Sequence, residues 1–280
     1  MYLALALLSS LVLGSADFVG GAAARRARAA VVVVWSNVAG LLAALAMVLL
    51  VVPGAVSLPD LGWGAAAGIC GSFGAVLLYR ALACGVMSVV APSSAAAAAA
   101  LPVTVGIALG ERISGRSAVG VVIAIGSIVL LTRTSGPANP DRRPIARSMV
   151  YSVLAGVSFG LFLVLLAQTS TASSLWPLVA ARSASLALLV GLALVQRQTL
   201  DLAGPSARLA LLAGVLDMAS NVLFLVAVRG AELALVGLLA SRSPLGTVGL
   251  AHLVLHERIR AVQGLGAVLA IGSVVLLTLA

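Results

Sequence analysis

Apolar residues run along this chain in ten long stretches, at 3–19, 30–52, 61–83, 87–109, 117–131, 148–167, 174–195, 209–228, 233–255 and 261–279, separated by short polar or Gly/Pro-bearing punctuation. A helix needs about 20 mainly apolar residues to cross roughly 30 Å of hydrocarbon. The pattern therefore predicts an all-α polytopic membrane protein of ten transmembrane helices, with almost nothing left for an extramembrane domain. The one connection of any size, 132–147, holds Gly136, Pro137, Pro140, Pro144 and three arginines besides Arg147. It reads as a linker.

Composition sharpens this picture. Of the 280 residues, 62% are hydrophobic and 9% charged, where a soluble domain carries about 25% charged residues. A soluble enzyme or nucleic-acid binder is excluded on that ground. All 17 basic residues are arginines, scattered through the chain without a long basic run, so the high isoelectric point reads as membrane orientation rather than phosphate binding. Cys70 and Cys84 lie in apolar stretches with no CxxC pair or nearby histidine, and read as small packing residues. The first 13 residues have no positive n-region, which argues against a cleaved signal peptide.

The chain also repeats itself. At an offset of 146, Glu111-Arg112-Ile113 falls on Glu257-Arg258-Ile259, Gly120, Gly126 and Ser127 fall on Gly266, Gly272 and Ser273, and Leu130-Leu131-Thr132 falls on Leu276-Leu277-Thr278. The same register places Gly14 on Gly160 and Gly68 on Gly214. Two repeats follow, 1–131 and 148–280, joined by the cytoplasmic linker 132–147. With five helices each, the second repeat enters the membrane from the opposite side, which predicts two inverted five-helix repeats around a central cavity. Eleven arginines in loops 1, 5, 7 and 9 against three in loops 4 and 8 put the odd loops in the cytoplasm and both termini outside.

Each half ends in a hairpin, Gly110-Glu111-Arg112-Ile113 or His256-Glu257-Arg258-Ile259, followed by a Gly-rich last helix. Together with the stretch from Ala227-Val228-Arg229-Gly230 into Ser241-Arg242-Ser243-Pro244, these residues resemble the EamA-type transporters of the drug/metabolite transporter superfamily. One departure stands out: Pro244 lies thirteen residues before its glutamate, whereas the matching place in the first half is Ala98, with Pro102 displaced. The resemblance implies a basket of ten helices whose cavity is lined mainly by helices 1, 3, 4, 6, 8 and 9. Helices 5 and 10 would stand aside as scaffold. It also implies export of amino acids, metabolites or related small molecules from a bacterial cytoplasmic (inner) membrane.

Ionisable groups inside a span are costly and face a cavity or a partner. The deepest is Asp217 in helix 8, with Asn221 one turn later on the same face. This pair is expected to bind substrate amine or hydroxyl groups or to carry a coupling proton, unless it serves only as an interhelical bridge. Arg182 and Arg242 are the cationic counterparts, with Arg242 set among Ser241, Ser243 and Pro244; an Asp217–Arg242 bridge is one arrangement the sequence allows. Asp17 and Arg80 lie nearer the expected cytoplasmic ends, and Asn37 sits just inside helix 2, placed either to bond across helices or to reach the cavity. The candidate substrate-binding set is thus Asp217, Asn221, Arg242, Arg182, Asn37 and Asp17. Glu111 and Glu257 read as hairpin residues that favour the dipole of the following helix. His252 and His256 lack a third ligand, so no metal or cofactor is expected. Ser93-Ser94 and the alanines 95–100 give helix 4 a small-residue face for close packing.

The functional reading is a secondary active transporter working by alternating access on a small-molecule substrate, with possible proton coupling, as a monomer or homodimer in the lipid bilayer. The chain has no lysine for a Walker motif. The alternatives are a multidrug exporter or an importer of the same fold. A more distant one is an intramembrane enzyme such as a polyprenyl-phosphate phosphatase, suggested by Ser241-Arg242-Ser243. The 4% of aromatic residues counts against a pump for hydrophobic cations.

Overall fold

Helix follows helix along the chain in a computed structural model that describes residues 2–50, 55–108, 115–133, 143–166, 168–230, 243–255 and 261–278. The elements are α1 (Tyr2–Ala24), α2 (Ala29–Leu50), α3 (Leu58–Cys84), α4 (Met87–Ala108), α5 (Gly115–Arg133), α6 (Arg143–Leu166), a 3-10 turn (Thr171–Ser173), α7 (Trp176–Val195), α8 (Gly204–Gly230), α9 (Ser243–Leu255) and α10 (Ala261–Thr278). No strand occurs among the described residues. The protein is a membrane-embedded, multi-pass helical bundle. Six of its described helices are long and apolar enough to span a bilayer, and shorter apolar segments lie in α4, α5, α9 and α10.

Among the described residues each of the ten apolar runs read from the sequence meets a helix, the ninth being described only from Ser243, and the differences lie at the ends. α1 runs five residues past the expected Val19, because Gly20 and Gly21 let it continue against the Tyr79 ring and Leu82 of α3. α3 begins at Leu58, with Pro59 in its first turn, where a missing N–H costs nothing. α8 likewise begins five residues early, at Gly204, whose φ of 62° is a left-handed turn suited to glycine. The linker core 134–142 and the Glu111 and Glu257 hairpins lie outside the described residues.

Lipid is as apolar as leucine, so helices in a membrane associate through close packing and buried hydrogen bonds rather than a hydrophobic drive. Large apolar side chains such as Leu42, Leu49, Leu194 and Val195 accordingly stay exposed toward the surroundings, and the interior is rich in Ala, Ser and Val. α1 packs on α8 and α9 while α6 packs on α3 and α4, and α2 meets α8 where α3 meets α7. The four glycines paired by the 146-residue offset each occupy one of these crossings. Gly14 lies against Ser243, Gly246 and Thr247 of α9, Gly160 against Ala98 and Leu101 of α4, Gly68 against Ala181 of α7, and Gly214 against Ser36 of α2. α5 and α10 pack on each other at one side. The small face of α4 is used as expected, with Gly156 seated against Ser94 and Ala97, and Ser152 Oγ donating to the Val90 carbonyl at 2.8 Å.

A polar clasp joins the halves on one face. The Asp60 carboxylate, buried in the first turn of α3, accepts the Ser170 N–H at 3.1 Å and the Ser173 hydroxyl, while Ala55 N–H donates to the Ala172 carbonyl at 3.0 Å. Hydrogen bonds to a charged acceptor are the stronger kind. Asp60→Ala is therefore expected to lower the midpoint of thermal unfolding in detergent by several degrees and to speed proteolysis near residue 170, both measurable on the purified chain.

Candidate functional site

A partly open cavity of about 650 Å³ lies within the bundle. Residues of α1, α3, α4, α6, α8 and α9 line it, and none of α5 or α10 does among the described residues. α2 and α7 add Val33, Ser36, Asn37, Leu178, Ala181, Arg182 and Ser185. The lining is thus drawn mainly from the six expected helices, with α2 and α7 added to them. The reason is the glycine crossings: Gly68 and Gly214 let α7 and α2 approach α3 and α8 so closely that their own side chains reach the interior.

A charged network crosses this cavity. The Arg182 guanidinium in α7 passes over Gly40 of α2, where a Cβ would stand 3.6 Å from Nε, and donates to Asp217 of α8. Its other terminal nitrogen donates to Asn37 Oδ1 at 3.1 Å, and Asn37 in turn donates to the Val33 carbonyl at 2.9 Å. Asn221 Nδ2 donates to the Asp217 carbonyl at 2.9 Å and stands 3.5 Å from its carboxylate. Arg182 and Asp217 are 21% and 25% exposed, so both are accessible from the cavity rather than sealed in protein. The partner of Asp217 among the described residues is Arg182. Arg242 lies outside them, although its neighbours Ser243 and Pro244 line the cavity.

Asp17 also faces the cavity. The sequence placed it near a helix end; the extension of α1 to Ala24 sets it two turns inside instead. No hydrogen bond or ion pair reaches its carboxylate among the described residues. Arg80 is exposed on α3, and Cys84, read as a packing residue, is exposed at the end of the same helix with Sγ donating to the Arg80 carbonyl at 2.9 Å. Cys70 is half-buried. His252 is exposed near the end of α9, and no group of three metal-ligating side chains occurs among the described residues.

Several lining residues carried no signal strong enough to single out. Ser9 Oγ donates to the Ser220 carbonyl at 2.9 Å and ties α1 to α8 at the cavity wall. Ser185, one turn from Arg182, is 3% exposed and its hydroxyl has no hydrogen-bond partner among the described residues. Tyr79, Phe159, Phe162 and Phe224 form aromatic walls, so three of the five phenylalanines of the chain gather here. The overall scarcity of aromatic residues is thus no guide to the cavity. A serine or phenylalanine within an apolar helix is cheap, and only the tertiary arrangement marks it.

Among known proteins, residues 146–279 match the EamA-like transporter family. No curated protein matches the chain. A crystal structure described only as that of a protein is similar over 99% of this chain and 97% of its own, with a TM-score of 0.62 at 17% sequence identity. That likeness is one of fold.

Proposed function

We infer from the match of residues 146–279 to the EamA-like transporter family that this chain is a secondary active transporter exporting small polar metabolites, such as amino acids or related compounds. In this reading it works by alternating access in the bacterial cytoplasmic membrane. The observation that carries the reading is the Asn37–Arg182–Asp217–Asn221 network, a set of costly charged and amide groups lining a cavity of metabolite size. Two of the five N–H donors of Arg182 are used by partners among the described residues, which leaves three to meet a substrate carboxylate or carbonyl in this reading. Asp17 and Asp217 offer acceptors to an amine, and either is suited to carry a coupling proton. Ser185, also on the cavity wall, adds a hydroxyl with no partner among the described residues. Arg242 completes the proposed set from beside Ser243.

Ten spans arranged as two inverted repeats, 1–131 and 148–280, with both termini outside, would supply two nearly equivalent packings between which the halves rock. The exchanged crossings of Gly14, Gly160, Gly68 and Gly214, at one constant offset, support that arrangement. The same site serves a monomer or one protomer of a homodimer. A second reading, efflux of amine-bearing drugs, is favoured by the aromatic walls and by two carboxylates against one guanidinium among the described lining residues.

Metabolite profiles of cells with and without the gene should differ in a few small polar compounds, retained inside when the gene is absent. Those compounds should then move across proteoliposomes containing the purified chain. Inward accumulation in cells would make it an importer, protection only against cationic drugs would favour the second reading, and phosphatase activity without flux would overturn transport.

A further inference from the structure

The polar clasp around Asp60 has a counterpart on the opposite face, and the counterpart lacks its anion. Position 206 stands 146 residues after Asp60, and residues 171–174 of the clasp stand 146 after residues 25–28. Where Asp60 carries a carboxylate into the loop that precedes α7, α8 carries Ser206 toward the loop that precedes α2. A cavity of about 420 Å³ lies there, lined by Arg26, Arg28, Thr199, Asp201 and Ser206. Ser206, only 8% exposed, lines this cavity, and its hydroxyl has no hydrogen-bond partner among the described residues. Arg26 and Arg28 are exposed, and no ion pair joins either to Asp201 among the described residues. The start of α8 borders the same space, since Ala203 and Ser206 line it, and a helix N-terminus presents N–H groups and the positive end of its dipole there. Neighbouring contact already fixes the frame, since Trp35 Nε1 donates to the Leu200 carbonyl at 2.9 Å.

We propose that this cavity binds an exogenous oxyanion, a phosphate group, which takes the place Asp60 fills on the other face and ties the loop at 25–28 to the start of α8. Guanidinium pairs and helix N-termini are the usual receivers of phosphate. Asp201 at the rim leaves a net charge of one positive among the lining residues and offers an acceptor to an amine, so a headgroup carrying both phosphate and ammonium is accommodated as well. The two sources of such a phosphate are a membrane lipid and the free ion. On the cytoplasmic face expected from the arginine distribution, an anionic leaflet presents the lipid at high local concentration. Bound there, the phosphate joins the two halves on one face as the Asp60 clasp joins them on the other.

The test is equilibrium binding to the full-length protein, purified in a phosphate-free detergent, of radiolabelled inorganic phosphate and of short-chain phosphatidylglycerol. Saturable binding at one site per chain is expected, weakened at least about tenfold by the exposed-loop double substitution R26Q/R28Q. Ser206→Asp, which rebuilds the Asp60 arrangement, is expected to weaken binding to a similar degree without lowering the midpoint of thermal unfolding. Mutual displacement of phosphate and lipid places both in one site, lipid binding alone assigns it to a headgroup, and phosphate binding alone assigns it to the free ion. Absence of saturable binding of either probe overturns the proposal, as does binding that survives in both variants.

Discussion

Replacing Asp217 with asparagine is expected to reduce flux in proteoliposomes by more than about tenfold and to destabilise the folded chain by about 1–3 kcal/mol, because the change leaves the Arg182 guanidinium in the cavity without its counter-charge. Arg182→Gln strands the carboxylate in the same way and should cost a similar amount. The double variant R182Q/D217N removes both charges, so it should recover about 1–2 kcal/mol relative to the sum of the single losses. Unfolding in detergent, followed by circular dichroism, measures the stabilities. Flux separates the two roles the pair can have. If Arg182 and Asp217 contact substrate, the double variant regains stability but not transport. If they form only a bridge between α7 and α8, it regains both. Normal flux and an unchanged pH profile in D217N would reject a substrate or proton role for this carboxylate.

The second large effect is on the fold. Gly68→Ala and Gly214→Ala each place a methyl group on the backbone of the crossing helix, at Ala181 and at Ser36 respectively. Backbone cannot step aside as a flexible side chain does, so each substitution is expected at the upper end of, or beyond, the roughly 1–3 kcal/mol usual for overpacking. Both crossings also bring α7 and α2 to the cavity, so transport should fall together with stability. Gly62→Ala, in the same α3 helix but with open space around it, is the comparison. It should be neutral or slightly stabilising through helix propensity. Thermal unfolding midpoints of the three variants, measured side by side, check the ordering; equal behaviour of G62A and G68A would refute the close crossing of α3 and α7.

The positions of the helices were legible in the sequence because a bilayer imposes a continuous apolar run on each span, and such runs stand out without knowledge of their neighbours. Asp217 and Arg182 were legible for the converse reason, since charge within an apolar helix is too costly to be incidental. The 146-residue register was legible too, through identical residues at a constant offset. It marked four glycines but not their purpose. Ends were read less well: Gly20–Gly21 and Gly204–Pro205 look like breaks in a chain, yet the neighbouring helices make them parts of α1 and α8.

What the sequence by itself determined is therefore the helical membrane class, the places of the helices, the 146-residue register of identical residues and the short roster of buried charges. Which groups meet was decided only by tertiary structure. Arg182 and Asp217 are 35 residues apart on different helices, and they join because α2 lies beside both and offers Gly40 as a passage and Asn37 as a second acceptor. The aromatic walls around the cavity and the buried Ser185 hydroxyl, unpartnered among the described residues, have the same origin. Burial without a partner is a property of the space between elements, and residue type alone does not encode it.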